Sequence, residues 1–305
     1  MLLVTGISGH TGGYFLQELI NNRYDGAIRC IVRNASDTTL IDNSGLKIEK
    51  VIGNLSHQEF MDSCMLGVDT VMHIGTIFYS LNVIKSAVKN KVRKVVLVHT
   101  TGIYSKFKRA SAVYKDIENE ITNIVSNESA PLIDITILRP TMIYGNICDH
   151  NMIQFIKLLD NLRIMPVINH GNGLFQPVNA RDLGKAYYQV LVMPDSIRRK
   201  EYILSGERPL ELVKAFKIIS NCLKKKTIFI SFPLMFSVLL ARILKVITIG
   251  KVDYIEKVLR MSENRSFPHD HAMNDFGYAP SSFEEGIRIE VEQYLKQKNI
   301  VKESF

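Results

Sequence analysis

The sequence predicts an α/β fold: a doubly wound parallel sheet followed by a smaller, mostly helical C-terminal cap. Three observations predict it. Short apolar runs rich in β-branched residues alternate with helical patterns through the first two hundred residues, which implies crossover units and a sheet covered on both faces. A glycine-studded turn at 5–12 follows the first run directly and opens a helical stretch. Past Leu204 the strand-like runs thin out and helical patterns take over.

The expected strands are 1–5, 28–33, 47–52, 70–74, 94–100, 134–139 and 201–205, with helices between them at 12–22, 80–90 and 111–126. The last helical stretch, 283–296, starts acidic and finishes rich in lysine, as the helix dipole favours. No internal repeat interrupts this order. An approximate boundary at 205, across which the two parts can interleave, separates a sheet domain, 1–205, from a cap, 206–305. The cap is expected over the carboxyl ends of the strands, where ligands of open α/β sheets sit.

One stretch allows two readings. Residues 228–249 are strongly apolar, but Pro233, Arg242 and Lys245 interrupt them, and a spanning helix needs about 20 predominantly apolar residues. Read as a helix from Leu234, the stretch puts Ser237, Ala241 and Lys245 on one narrow stripe, with Arg242 close beside it. A mostly buried cap helix is the first expectation. The alternative is an interfacial helix lying on a membrane, which the preceding run Lys224, Lys225 and Lys226 would suit.

Composition narrows the function classes. The 305 residues hold four cysteines, far apart and without CxxC or metal-type spacing, so free thiols in a reducing compartment are expected, and no metal. The apolar start MLLVTG runs into the glycine turn without a basic region, so no signal peptide and a cytoplasmic location are expected. The net charge of +8 suits a solvated surface, an anionic ligand or an acidic membrane face. With no tryptophan, no zinc-finger spacing and no basic helix interleaved with aromatics, nucleic acid is not expected as a partner.

The turn TGISGHTG supplies the first chemistry. Gly6 permits the tight turn, Gly9 lets the backbone approach a pyrophosphate, and Gly12 lets the helix pack on the strand. Ser8, His10 and Thr11 fill the turn, and the N–H groups at the helix start meet phosphates with the favourable end of the dipole. A Rossmann-type dinucleotide site is therefore expected. At the end of the second strand an NAD site usually carries a carboxylate; here Arg33 stands there and no carboxylate follows until Asp37. A guanidinium can pair bidentately with a 2′-phosphate, which favours NADP while leaving NAD open, and leaves open an ordinary surface arginine.

With these pieces in place, the chain resembles the short-chain dehydrogenase/reductase superfamily, and more narrowly its extended and atypical members, the NAD-dependent epimerase/dehydratase proteins. The carriers are TGISGHTG, IGNL at 52–55, DTVMHIGT at 69–76, VVLVHTTGIYS at 95–105, ILRPTMIYG at 137–145, QPVNARDLGKA at 176–186 and FGYAPSSFEEGI at 276–287. The resemblance implies that Asn54 stands where an Asp usually touches the adenine. It implies that 73–76, with Gly75 and Thr76, lines the nicotinamide ribose side, and that Pro140 and Thr141 line the carboxamide side. Either segment could instead be a plain strand terminus.

Catalysis in the superfamily rests on Ser/Thr, Tyr and Lys, the lysine lying four residues after the tyrosine, on the same helix face. Thr100, with Thr101 beside it, and Tyr114 match the first two. The third is replaced: Glu118 follows Tyr114 at that spacing. A carboxylate raises rather than lowers a tyrosine pKa. Another group must supply positive charge, or Glu118 itself acts as base, or the chemistry is not standard hydride transfer; Tyr114 could equally be a core aromatic. Asp182 is expected to cap its helix.

Two readings result. The first is an NADP-binding oxidoreductase or epimerase-like enzyme for a small carbonyl or hydroxyl substrate, with a nucleotide-linked sugar the implied class and Arg208, Arg260 or Arg265 meeting its diphosphate. The second is a silent dinucleotide-binding sensor or scaffold, in one variant held on a membrane through 234–247. Whether the chain forms a homodimer stays open.

Overall fold

The computed structural model describes residues 1–126, 133–248, 251 and 253–303. The chain forms two compact units interleaved in sequence. One comprises Met1–Thr141, Ala180–Leu204 and His269–Ala279; the other comprises Met142–Asn179, Ser205–Pro268 and Pro280–Phe305. No single cut near residue 205 separates them.

The first unit holds the expected sheet. Strands β1 (Leu2–Thr5), β2 (Ile28–Val32), β3 (Ile48–Ile52), β4 (Thr70–His73), β5 (Lys94–Val98) and β6 (Asp134–Pro140) are joined by a seventh, Glu201–Leu204. From that seventh strand the order runs β6, β5, β4, β1, β2, β3, and every pairing is parallel. The central strands are buried end to end, which is why they read as continuous apolar runs rather than alternating ones. Strand order reverses between β1 and β4, so the switch point falls beside the glycine turn.

Five helices follow these strands in turn: α1 (His10–Asn21), α2 (Thr39–Asp42), α3 (Gln58–Cys64), α4 (Ser80–Lys89) and α5 (Lys108–Val125). On one face Met61 of α3, Val83 and Ile84 of α4, and Ile117 and Ile121 of α5 pack against Leu3, Val71 and Val95. Elsewhere in the unit α1 packs on helix Ala180–Val192, with Phe15 edge-on to Tyr187 at 6.4 Å. Gly184 makes that approach possible, since a Cβ there would lie 2.6 Å from the Tyr14 backbone. Asp182 lies buried in the first turn of the same helix.

The second unit is built on helices Met152–Asn161, Leu212–Cys222 and Phe283–Glu303, whose apolar faces share one core through Ile156, Leu159, Phe216, Ile219, Ile287 and Val291. Beneath Tyr294, whose hydroxyl donates to it at 2.8 Å, the buried Asp160 also pairs with Lys225 at 2.6 Å. Past Leu204 this unit is less purely helical than its sequence suggests. Ile228–Phe232 is a strand, paired in parallel with Ile164–Ile168.

The helix expected from Leu234 is present as Leu234–Ile247, and Ile249 lies outside the described residues. The expectation that it is mostly buried is wrong. Only Ala241 is buried, while Met235 is 86% and Ile247 72% exposed. The helix turns Ala241 inward, with Ser237 and Lys245 half-buried on the same stripe, and leaves most of its large side chains outside. Periodicity locates the faces of a helix, not which one is covered. No helix among the described residues is long and apolar enough to cross a membrane.

Candidate functional site

The glycine turn is shaped by sterics that exclude any other residue. Gly6 has φ +76°, and a Cβ on it would sit 2.7 Å from the Gly75 nitrogen. A Cβ on Gly12 would lie 2.0 Å from the Gly6 carbonyl oxygen. The Gly9 N–H donates to that same oxygen at 3.0 Å and closes the turn. Helix α1 then begins with no side-chain cap and no acidic residue in its first turn. Its first N–H groups have no intrahelical acceptor, and the dipole favours an anion in front of them.

In front of the turn lies a cleft of ≈ 1050 Å³, at the carboxyl ends of β1, β2, β3 and β4. Of the residues expected to hold a cofactor, Gly6, Ser8, Gly9, Arg33, Asn54, Gly75 and Thr76 all line it. His10, Thr11 and Gly12 form the start of α1 behind the wall. Arg33 follows β2 immediately, is exposed, and makes no ion pair among the described residues. Asp37 lines the cleft too, but the Thr39 N–H and hydroxyl both donate to its Oδ1, at 2.9 and 2.7 Å. Asn54 accepts the Ser56 N–H at 3.0 Å, which leaves its NH2 group for a ligand. His57 and Tyr79 also line the cleft. They carry no motif, and only the return of 57 and 79 to this sheet edge could have found them.

Segment 73–76 is fixed from below. His73 is fully buried, its Nδ1 2.6 Å from the Thr5 hydroxyl and its Nε2 3.2 Å from the Thr76 carbonyl oxygen. Burial, with His99 nearby, pushes its pKa down to about 3, so the ring is neutral. One tautomer satisfies both contacts: Nε2–H donates to Thr76 and Nδ1 accepts from Thr5. That holds Gly75 against Gly6.

The expected catalytic residues are not among those that line this cleft: Thr100 follows β5, and Tyr114 and Glu118 lie on α5. Thr100 and Tyr114 meet across Gly102. The Gly102 N–H donates to Thr100 Oγ1 at 3.0 Å, and a Cβ on Gly102 would touch both Thr100 Oγ1, at 3.3 Å, and the Tyr114 ring, at 3.2 Å. Tyr114 is half-buried, its ring 6.2 Å from that of Phe78. Pro140 ends β6 and accepts the Thr101 hydroxyl at 3.2 Å; Thr141 follows, buried.

Glu118 is not a free base. Arg139, from the RPTMIYG segment, donates to both its oxygens at 2.6 and 2.7 Å, and His99 Nδ1 lies 2.8 Å away. Burial raises the Glu118 pKa, but these hydrogen bonds and the guanidinium charge outweigh it and hold it at about 2. Burial keeps His99 below its ordinary value despite Glu118, and its Nε2 is 3.0 Å from the Ser80 hydroxyl. Arg139 also pairs with Glu201 at 2.9 Å, and the Tyr104 hydroxyl donates to Glu201. One guanidinium thus serves two carboxylates, and the cluster carries no net positive charge with which to acidify Tyr114. Arg139 is the residue that motif reading passed over.

In the second unit, Arg260 and Arg265 repel one another, and each buries its Nε without an acceptor; burial and Arg260 lower the Arg265 pKa although the nearby Glu263 opposes them. Arg208 is spoken for by Glu284 at 3.1 Å.

A parallel sheet with its order reversing beside a steric cradle of three glycines defines a dinucleotide-binding protein of the Rossmann type. Comparison with known proteins agrees: residues 6–154 match the family model described as NAD(P)H-binding. Solved structures extend the likeness over the whole fold. The protein gox2253 is 18% identical, with TM-score 0.76 over 97% of this chain and 98% of its own. A UDP-glucuronic acid 4-epimerase from Bacillus cereus, in complex with UDP-glucuronic acid and NAD, is 13% identical, with TM-score 0.73 over 97% and 99%. The dTDP-glucose 4,6-dehydratase DesIV from Streptomyces venezuelae, with NAD bound, is 17% identical, with TM-score 0.72 over 98% of each chain. The chain thus shares the fold of these NAD-binding epimerase and dehydratase structures. No curated protein matches it in sequence.

Proposed function

We propose that this chain is an NADP(H)-dependent oxidoreductase or epimerase/dehydratase-like enzyme acting on a small carbonyl or hydroxyl group, carried on a nucleotide diphosphate. The observation that carries it is the cleft itself, whose glycine cradle fits a pyrophosphate and whose exposed Arg33 offers a cation where a 2′-phosphate falls. The cofactor, when bound, supplies hydride transfer at its nicotinamide. Around it, Gly6, Gly9 and the start of α1 hold phosphate, and 73–76, set by His73, lines the ribose. The Thr100 hydroxyl polarises a carbonyl while accepting from Gly102, and Tyr114 moves the proton. Arg260 and Arg265, like charges of the second unit, suit an anion such as a diphosphate, the group that links the UDP-glucuronic acid in one solved structure above.

A second reading has its own support. Glu118, neutralised by Arg139, puts no cation beside Tyr114, as a silent NAD(P)-binding sensor or scaffold would allow.

Titrating NADPH and NADH tests the cofactor. Arg33→Ala should weaken NADPH at least about tenfold, the worth of a hydrogen bond to a charged group, and leave NADH unchanged. Equal loss for both refutes the contact. Turnover of UDP- and dTDP-sugars separates the two readings. Loss of about a hundredfold or more in Tyr114→Phe, with NADPH binding intact, supports the enzyme. Intact NADPH binding without turnover supports the sensor.

A further inference from the structure

We infer that the second unit carries a docking face for an anionic lipid bilayer, built from helix Leu234–Ile247 and the two-stranded ribbon that precedes it. The helix exposes Met235, Phe236, Leu239, Leu240, Ile243 and Ile247 while burying only Ala241. Ribbon and helix form one surface. In the parallel register Ile164 pairs with Ile228 and Pro166 with Ile230, so these four share the outer face, and all four are exposed. Phe232, next on that face, stacks on Phe236 at 6.1 Å and joins the ribbon to the helix. The inner face, Met165, Val167 and Phe229, packs into the core of the unit. Large contiguous apolar patches on a folded chain mark interaction surfaces.

Charge decides the occupant. Between Glu211 and Asp253 the sequence holds eight Lys or Arg and no Asp or Glu. The rest of the chain is left with 30 basic and 30 acidic residues, so the whole net charge of +8 resides in this segment. Arg163 directly precedes Ile164, and Lys226 lies two residues before its partner Ile228, so both edge the ribbon with cations; Arg242 is exposed on the helix. A second copy of the chain would bring a like charge against this face. Lys214, Lys225 and Lys245 are paired with Glu211, Asp160 and Asp253, so the cations at the face are Arg163, Lys226 and Arg242. A bilayer with anionic headgroups meets both features at once, apolar side chains entering the acyl boundary and these cations staying among the phosphates.

The test is cosedimentation of the full chain with phosphatidylcholine vesicles, with and without admixed phosphatidylserine. The chain should pellet with the anionic vesicles only, and less so as salt rises. The double variant Leu240→Glu, Ile243→Glu should stay in the supernatant, and Lys226→Glu should bind at least roughly fivefold more weakly. These positions are exposed, and an unchanged melting temperature shows that the variants fold. Three results overturn the proposal: no pelleting with anionic vesicles, equal pelleting with both kinds, or a wild-type dimer that Ile243→Glu converts to monomer. Binding to RNA that needs Lys226 but not Ile243 also overturns it. None of these readouts involves the dinucleotide cleft, so the lipid proposal and the enzyme reading stand or fall separately.

Discussion

At position 118 a carboxylate occupies the place where the resemblance leads one to expect lysine, and its partners explain why it is stable there. Glu118 is held by both arms of Arg139 and by His99. Glu118→Lys, the change that restores the usual spacing after Tyr114, would set an ammonium against the buried guanidinium. It should destabilise the chain by about 3–5 kcal/mol rather than create activity, because it leaves a buried charge uncompensated. Glu118→Gln tests the same pair through pH. The folded pKa of about 2 lies below the ordinary unfolded value of about 4.3, so the ionised pair stabilises the fold fully above that value and ceases to as pH falls toward 2. Urea midpoints of wild type and Glu118→Gln should therefore differ most near neutral pH and converge below about pH 4. A gap that stays constant down to pH 2 would show that the pair contributes nothing.

At the scale of elements, the turn and α1 make the sharpest contrast between neighbouring glycines. Gly12 has no room for a methyl group, whereas nothing lies within 4 Å of the Cβ position at Gly13. Gly12→Ala should cost about 1–3 kcal/mol and abolish NADPH binding, since the Gly6 carbonyl must move. Gly13→Ala should raise stability by about 0.4–1 kcal/mol, through the unfolded chain. Thermal midpoints read both. The sheet was legible because buried parallel strands leave unmistakable apolar runs, and the turn because its glycines answer to sterics. Helix Leu234–Ile247 was legible in position and not in orientation: its narrow stripe was recognised, but sequence cannot say which stripe finds a neighbour. The ribbon strand Ile228–Phe232 merged with that helix into one apolar stretch. The cluster His99, Glu118, Arg139 and Glu201 was illegible as a group, since its members come from β6, the strand Glu201–Leu204, the end of β5 and α5, and only the sheet order brings them together. That Arg33 and Asn54 line one cleft was legible because they sit at fixed places after strands.

At the scale of the whole molecule, interleaving in sequence makes the two units inseparable by a simple cut. The strand Glu201–Leu204 lies at the sheet edge, and its Tyr202, 1% exposed, is covered by the late segment His269–Ala279. There the Tyr202 hydroxyl donates to Asp275 at 3.0 Å, Arg199 pairs with Asp275 at 2.6 Å, and Phe276 packs edge-on against Tyr202 at 5.1 Å. A chain ending at residue 205 loses all of this. It also keeps helix Met152–Asn161 while losing Phe216, Ile219 and Ile287, against which Ile156 and Leu159 are buried. Each such fully buried side chain contributes about 1.5–3 kcal/mol, and a domain has only about 5–15 kcal/mol in all. Calorimetry of the 1–205 fragment should therefore show no cooperative transition, and the fragment should bind no NADPH even though every residue of the cleft is present. A sharp transition with NADPH binding in that fragment would mean that the sheet is stable without its returning segment, and that the sequence boundary at 205 is also a folding boundary.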